Sequence, residues 1–215
     1  MTPRTTLPSK TNKYYLKKGY GGYNPCVLGN KKHRYCKGSV LVNCVGWATG
    51  RFNEIGEYKK CKYLGNTNAE NFISLAKKQG LEIGQIPKPG ACMVWAKGKV
   101  GKSSDGAGHV AIVEEVYDAE RVLTSESGWG YTTKYFQNVK RSKGGNGRWG
   151  LSEDYTFLGF VYNPATKEVY YKVKKGDTLS KIANKYKTTV EQLMKWNPII
   201  KDKNKIDVGW KLRVK

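Results

Sequence analysis

The apolar residues of this chain change their period once, and that change limits the folds open to it. In LVNCVGWATGRFNEI (41–55) they recur at 41, 45, 48, 52 and 55, the spacing of one helix face. NAENFISLAKKQ (68–79) repeats the pattern, with Phe72, Leu75 and Ala76 on one side and Gly80 as a stop. From residue 87 the period shortens. PKPGACMVWAKG, HVAIVEEVYD, RVLTSES and FLGFVYN are short apolar or alternating runs between turn residues, as strands are. Helices first and strands afterwards predicts an α+β domain with its helices on one side of an antiparallel sheet.

Composition breaks at NPATKE (163–168), a polar connector with a proline. Beyond it there is no cysteine, histidine or phenylalanine, and lysine dominates. The segment reads strand (VYYKVK), turn at Gly176-Asp177, helix (TLSKIANKY), helix (TVEQLMKW), Asn-Pro break, strand (GWKLRVK), a small βααβ unit. Thr189 and Gln192 suit a capping box for the second helix. A unit of about 45 residues buries only a small core. Here that core is expected from Val173, Leu179, Ile182, Ala183, Leu193, Ile206 and Leu212. The expected organisation is a loosely ordered arm (1–24), a main domain (25–162), a linker (163–168) and a second domain (169–215).

Net charge is +22, from 39 basic and 17 acidic residues. Residues 170–215 carry 13 of the basic and 4 of the acidic residues, so both parts face a polyanion. Zinc-finger spacing, a helix-turn-helix signature and RNP-type aromatics are all missing. Specific nucleic acid is therefore the weaker candidate beside an anionic cell wall or membrane surface. No run approaches the roughly 18 apolar residues of a membrane helix, so no membrane insertion is expected. The first residues lack the apolar core of about 7–15 residues that marks a secretory signal. If the protein acts outside a membrane, something else must let it out. Five cysteines cannot all pair, and they form no C-x-x-C or zinc pattern with the two histidines. A monomer with no disulfide framework, metal or other cofactor is expected.

One cysteine stands in a reactive setting. Cys44 falls at the start of the 41–55 helix, with Asn43 where an N-cap would be. Free backbone N–H groups and the helix dipole there favour a thiolate and can hold an oxyanion. Cys26, Cys36, Cys61 and Cys92 read as structural, Cys92 as core. A base is needed beside the sulfur. His33 lies in a basic loop, whereas His109 opens a strand after a glycine that leaves its ring accessible. Glu126, at the end of the next strand, would stand beside His109 across a hairpin and orient it. Glu114 and Glu115 are expected to point away.

NCVGWATGR (43–51), PKPGACMVW (87–95), GHVAIVEEV (108–116) and TSESGWG (124–130) together resemble the CHAP family, the cysteine, histidine-dependent amidohydrolases and peptidases that cleave bacterial peptidoglycan. The resemblance covers roughly residues 25–162. It implies a papain-like fold with Cys44 as nucleophile, His109 as base and then acid, and Glu126 as orienting residue. Trp129 would line the substrate cleft or simply pack. Many relatives carry Asn where this chain has Gly128, so any helper from that position is missing here. Some bind calcium through an acidic loop before the cysteine. Residues 26–43 hold no Asp or Glu, and no calcium site is expected there.

YYKVKKGDTLSKIANKY and LMKWNP resemble a LysM module, which binds N-acetylglucosamine-containing glycans. The resemblance places the sugar between Gly176, Asp177, Thr178 and Leu179 on one loop and Asn197, Pro198 and Ile199 on the other. Leu179 and Ile199 would give apolar cover, and Asp177 would cap a helix as well. The two resemblances together imply a phage endolysin-like peptidoglycan hydrolase, cutting as an N-acetylmuramoyl-L-alanine amidase or a D-alanyl cross-bridge endopeptidase. The alternatives are a bacterial autolysin and a non-catalytic glycan-binding wall protein.

Overall fold

Helix α1 (Cys44–Ile55) is buried along almost its whole circumference, from Cys44 to Asn53. Its sequence permits this because small residues alternate with large apolar ones. Gly50 is required by contact: a β-carbon there would stand 2.8 Å from the ring of Tyr15. This computed structural model describes residues 1–6, 8, 12–15, 44–59, 61–65, 67–98, 106–128, 136–141, 149, 151 and 154–215. They divide into two compact units, Met1–Ala165 and Thr166–Lys215.

In the first unit a single 3-10 turn (Ala69–Asn71) leads into α2 (Phe72–Lys78). The strands are β1 (Ile83–Gly84), β2 (Cys92–Lys97), β3 (His109–Asp118), β4 (Arg121–Glu126), β5 (Phe136–Arg141) and β6 (Tyr155–Val161). They form one antiparallel sheet in the order β1-β6-β2-β3-β4-β5. The α+β expectation holds. The sheet, however, is covered on both faces. Alternation along β2 sends Cys92 and Val94 into a core with Val45, Ala48 and Phe52 of α1 and Phe72 and Ala76 of α2. It sends Met93 and Trp95 into a second core with Ala111, Val113, Trp149 and Phe160. In that second core Phe157 meets Phe160 edge-on, with ring centres 5.0 Å apart.

One expectation for this unit is corrected. Residues of the arm are packed where described: Tyr15 is 2% exposed, stacks on Trp47 and donates its hydroxyl to Glu54 at 2.8 Å. Arg4 pairs with Glu54 through its guanidinium and donates its backbone N–H to Glu114 at 2.9 Å. Glu114 points away from His109, as expected, but into the protein: it follows Val110 and Ile112 onto the α1 side of β3, 1% exposed, and accepts from Arg51 at 2.8 and 2.9 Å. Burial works against the charge on Arg51, but its hydrogen bonds and ion pair with Glu114 outweigh that and raise its pKa. Glu115 is exposed, as expected.

The second unit pairs β7 (Tyr170–Lys172) with β8 (Lys211–Arg213), antiparallel, and carries α3 (Leu179–Tyr186) and α4 (Val190–Trp196) between them. Thr178, not Asp177, caps α3, accepting from the Lys181 N–H. Asp177 instead closes the turn before it, accepting from the Lys174 N–H at 2.8 Å and the Tyr171 hydroxyl at 2.9 Å. Thr189 caps α4 by accepting from the Gln192 N–H. The core is Val173, Leu179, Ile182, Ala183, Leu193, Ile200, Leu212 and Val214, with Ile206 only partly buried against it.

Candidate active site

Cys44 is the first residue of α1, His109 the first of β3 and Glu126 the last of β4. Gly108, just before the histidine, has φ +73°, and a β-carbon there would lie 2.2 Å from the Trp95 carbonyl oxygen. Glycine is needed for this close approach to β2, rather than to keep the ring accessible. His109 lies opposite Trp95 across the β2–β3 ladder, with ring centres 5.7 Å apart. The β3–β4 hairpin then brings Glu126 Oε2 to 2.7 Å from His109 Nε2. With Nε2 engaged there, Nδ1 is the nitrogen left for Cys44, which shares a side-chain hydrogen bond with the ring.

The other Glu126 oxygen accepts from the Thr124 hydroxyl at 2.8 Å. Thr124 was not singled out from the sequence, though two-residue alternation on β4 puts it on the face of Glu126. The electrostatics follow from these contacts. Burial opposes a charged imidazole, yet hydrogen bonds to Cys44 and Glu126, with their charges, outweigh it and hold the His109 pKa up at about 9. The other described thiols differ. Burial pushes Cys61 up to about 12, and burial, then the neighbouring Cys44, pushes Cys92 well above its ordinary value. Neither has an imidazole among the causes of its shift.

Gly128 faces open space: an added β-carbon there meets nothing within 4 Å. Trp129, His33, Asn43, Cys26 and Cys36 lie outside the described residues, as does all of 26–43.

In the second unit Gly176, Thr178, Pro198 and Ile199 are exposed, Ile199 by 56%, and Asp177 is half-buried. Leu179 is 2% exposed and belongs to the core, so its side chain offers no cover to a sugar. Helical periodicity explains this: Leu179, Ile182 and Ala183 share one face of α3, and that face is inward. Asn197 is 6% exposed and its amide is spent on the fold. It donates to the Leu193 and Arg213 carbonyls, both at 2.8 Å, and accepts from the Arg213 N–H at 2.7 Å.

Among the described residues no helix is long and apolar enough to cross a membrane. Comparison with known proteins gives two family matches: the CHAP domain over residues 34–128 and the LysM domain over 171–215. The chain is 51% identical over 53 residues to an endolysin of Bacillus phage B103, covering 25% of this chain and 20% of that one. It is 59% identical over 44 residues to an endolysin of Bacillus phage PZA, covering 20% and 17%. The matched stretches thus span about a fifth of those relatives' length. An N-acetylmuramoyl-L-alanine amidase structure from Staphylococcus aureus matches at 24% identity and a TM-score of 0.37, over 46% of this chain and 26% of that one.

Proposed function

From a chain that carries a CHAP domain over 34–128 and a LysM domain over 171–215, we infer a peptidoglycan hydrolase that works through a cysteine nucleophile. The observation that carries this reading is the sequence of contacts Cys44–His109–Glu126 at the start of a buried helix. Cys44 sulfur attacks an amide carbonyl, and the oxyanion is held by backbone N–H groups of the first turn of α1. The C–N bond breaks as His109 delivers a proton to the departing amine, leaving a thioester on Cys44. Water, deprotonated by His109, then releases the acid and restores the thiol. Glu126 keeps the ring in place and supports its charge, with Thr124 fixing Glu126.

The bond cut is the amide between the lactyl group and L-alanine, or a D-alanyl bond of the cross-bridge. Digestion of purified peptidoglycan decides between them. Newly freed L-alanine amino ends identify the amidase, and cross-bridge amino ends the endopeptidase. Retained wall binding with no product would leave a glycan-binding protein. The net charge of +22 draws the chain to the anionic wall, where it acts after release from a bacterial cytoplasm.

The LysM unit holds the enzyme on its polymer by contacts to N-acetylglucosamine-containing glycan from the loops around Gly176–Thr178 and Pro198–Ile199. With Leu179 in the core, apolar cover comes from Ile199. Ile199→Ser is expected to weaken binding to N-acetylglucosamine oligomers about ten-fold, with the melting temperature unchanged, by calorimetric titration.

The raised His109 pKa sets a pH dependence. The folded value of about 9 lies above the 6.5 of an ordinary imidazole. The stability it contributes is therefore complete below pH 6.5 and is lost as pH rises through about 9. Activity needs the same proton for the leaving amine, so kcat/KM is expected to fall along an alkaline limb near pH 9. Glu126→Gln removes one of the groups that raise the value and moves that limb to lower pH, which a pH–rate profile of both proteins checks. An unmoved limb would remove Glu126 from the site.

A further inference from the structure

A line of buried side chains with no part in the chemistry above joins the helix of Cys44 to the strand of Glu126. Trp47, one turn after Cys44 on α1, donates from Nε1 to Ser125 Oγ at 3.0 Å. Ser125, the residue before Glu126 on β4, donates its hydroxyl to Glu114 Oε1 at 2.6 Å. Glu114 is gripped in turn by Arg51, again on α1, from Nε at 2.9 Å and Nη2 at 2.8 Å. Trp47 and Ser125 are fully buried and Glu114 is 1% exposed. Trp47 and Arg51 stand four residues apart and share a helix face. One hydrogen-bonded chain thus fastens α1 to the β3–β4 hairpin at two points.

His109 must meet the Cys44 sulfur with one nitrogen and the Glu126 carboxylate with the other. The spacing between the first turn of α1 and the end of β4 therefore sets the geometry of all three groups. We propose that Ser125 is a positioning residue: its hydroxyl, accepting from Trp47 and donating to Glu114, holds Cys44 in register with His109 and Glu126. This rests on the reading of Cys44 as nucleophile. A hydroxyl suits the place because it accepts and donates at once. Alternation points Ser125 to the other side of β4 from Thr124 and Glu126, so it meets α1 while Glu126 meets the imidazole.

The test uses Ser125→Ala, Trp47→Phe and the double variant of the full chain. Three quantities are read: kcat and KM on peptidoglycan, the pH profile of Cys44 alkylation by iodoacetamide followed by peptide mass, and the thermal midpoint. Each single variant is expected to lower kcat about 10- to 100-fold with KM little changed, as a misplaced reacting group does. Each is also expected to displace the alkylation profile along the pH axis. The double variant is expected to lose no more than the worse single one, because both break the same bond. Trp47→Phe keeps an aromatic ring in the core and serves should Ser125→Ala not fold. A wild-type Cys44 no more reactive than Cys61 overturns the nucleophile reading and the proposal with it. A reactive wild-type Cys44, unchanged in profile and kcat by folded variants, overturns the proposal alone. So does a loss of kcat that matches the fraction unfolded.

Discussion

Cys44→Ala is expected to bind peptidoglycan as the parent does and to release no product from it, a loss on the order of ten-thousand-fold or more. The size follows from what the side chain would do. Without the sulfur no thioester forms, and His109 and Glu126 are left orienting a proton with no nucleophile to take it from. Residual rate would come only from water attacking a carbonyl held near the helix N-terminus. Folding should survive, because alanine keeps the helix start and removes only the sulfur of a residue that is 9% exposed. Mass analysis of the digest, with wall binding measured in parallel, separates this outcome from misfolding. Cys61→Ala is the control: its thiol is pushed up to about 12 by burial and has no imidazole among the causes. If Cys44→Ala digested the wall at the parent rate, the nucleophile would have to be sought among the remaining cysteines or outside cysteine chemistry altogether.

The elements that could be read from the sequence are those whose apolar period runs long enough to show. Helices α1 and α2, strands β2, β3, β4 and β6 and the βααβ order of the second unit all have it. Strand β1 has only two residues, too few for any period. Strand β5 is FQNVKR, an edge strand with two apolar residues, and its pairing with β4 is carried by backbone bonds that leave no mark in composition. Charge-driven packing was the larger blind spot. Arg4 and Glu114 are 110 residues apart, and nothing local to either announces the other. Alternation along β3 puts Glu114 on the α1 side with Val110 and Ile112, but HVAIVEEVYD does not say that an arginine of α1 waits there.

At the candidate site, residue type and order were enough to select Cys44, His109 and Glu126, which the structure brings together. What supports them from behind came only with coordinates. Ser125 was one more polar residue in a strand, and Trp47 one more apolar residue in a helix. In the second unit the error ran the other way. Leu179 and Asn197 were chosen as binding residues by position in a motif, while their burial assigns Leu179 to the core and Asn197 to tying α4 to β8.

The buried ion pair behind α1 offers a large stability effect from a single substitution. Glu114 accepts from Arg51 twice, from the Arg4 backbone and from the Ser125 hydroxyl, with its side chain wholly enclosed. Glu114→Ala removes the carboxylate and leaves the Arg51 guanidinium, whose pKa its partners raise, with a side chain 6% exposed. Glu54 can still pair with it at 3.0 Å and the Thr2 carbonyl still accepts from Nη2 at 2.8 Å, but Nε loses its acceptor. Breaking a buried pair from one side costs about 3–5 kcal/mol, because the survivor keeps its desolvation penalty. In a unit of this size about 2–4 °C of melting temperature goes with each kcal/mol, so a drop of roughly 10 °C is expected. The double variant Arg51→Met, Glu114→Leu separates loss of the pair from abandonment of a charge. It removes both costs together and fills the space with apolar groups. Its loss should therefore be smaller than that of Glu114→Ala alone, a non-additivity that guanidinium unfolding curves resolve. If the double variant were the weaker of the two, attraction within the pair would exceed the cost of burying it. If Glu114→Ala melted with the parent, the network would not bear on stability, and the packing of the described residues before α1 would rest on Tyr15 and Trp47 instead.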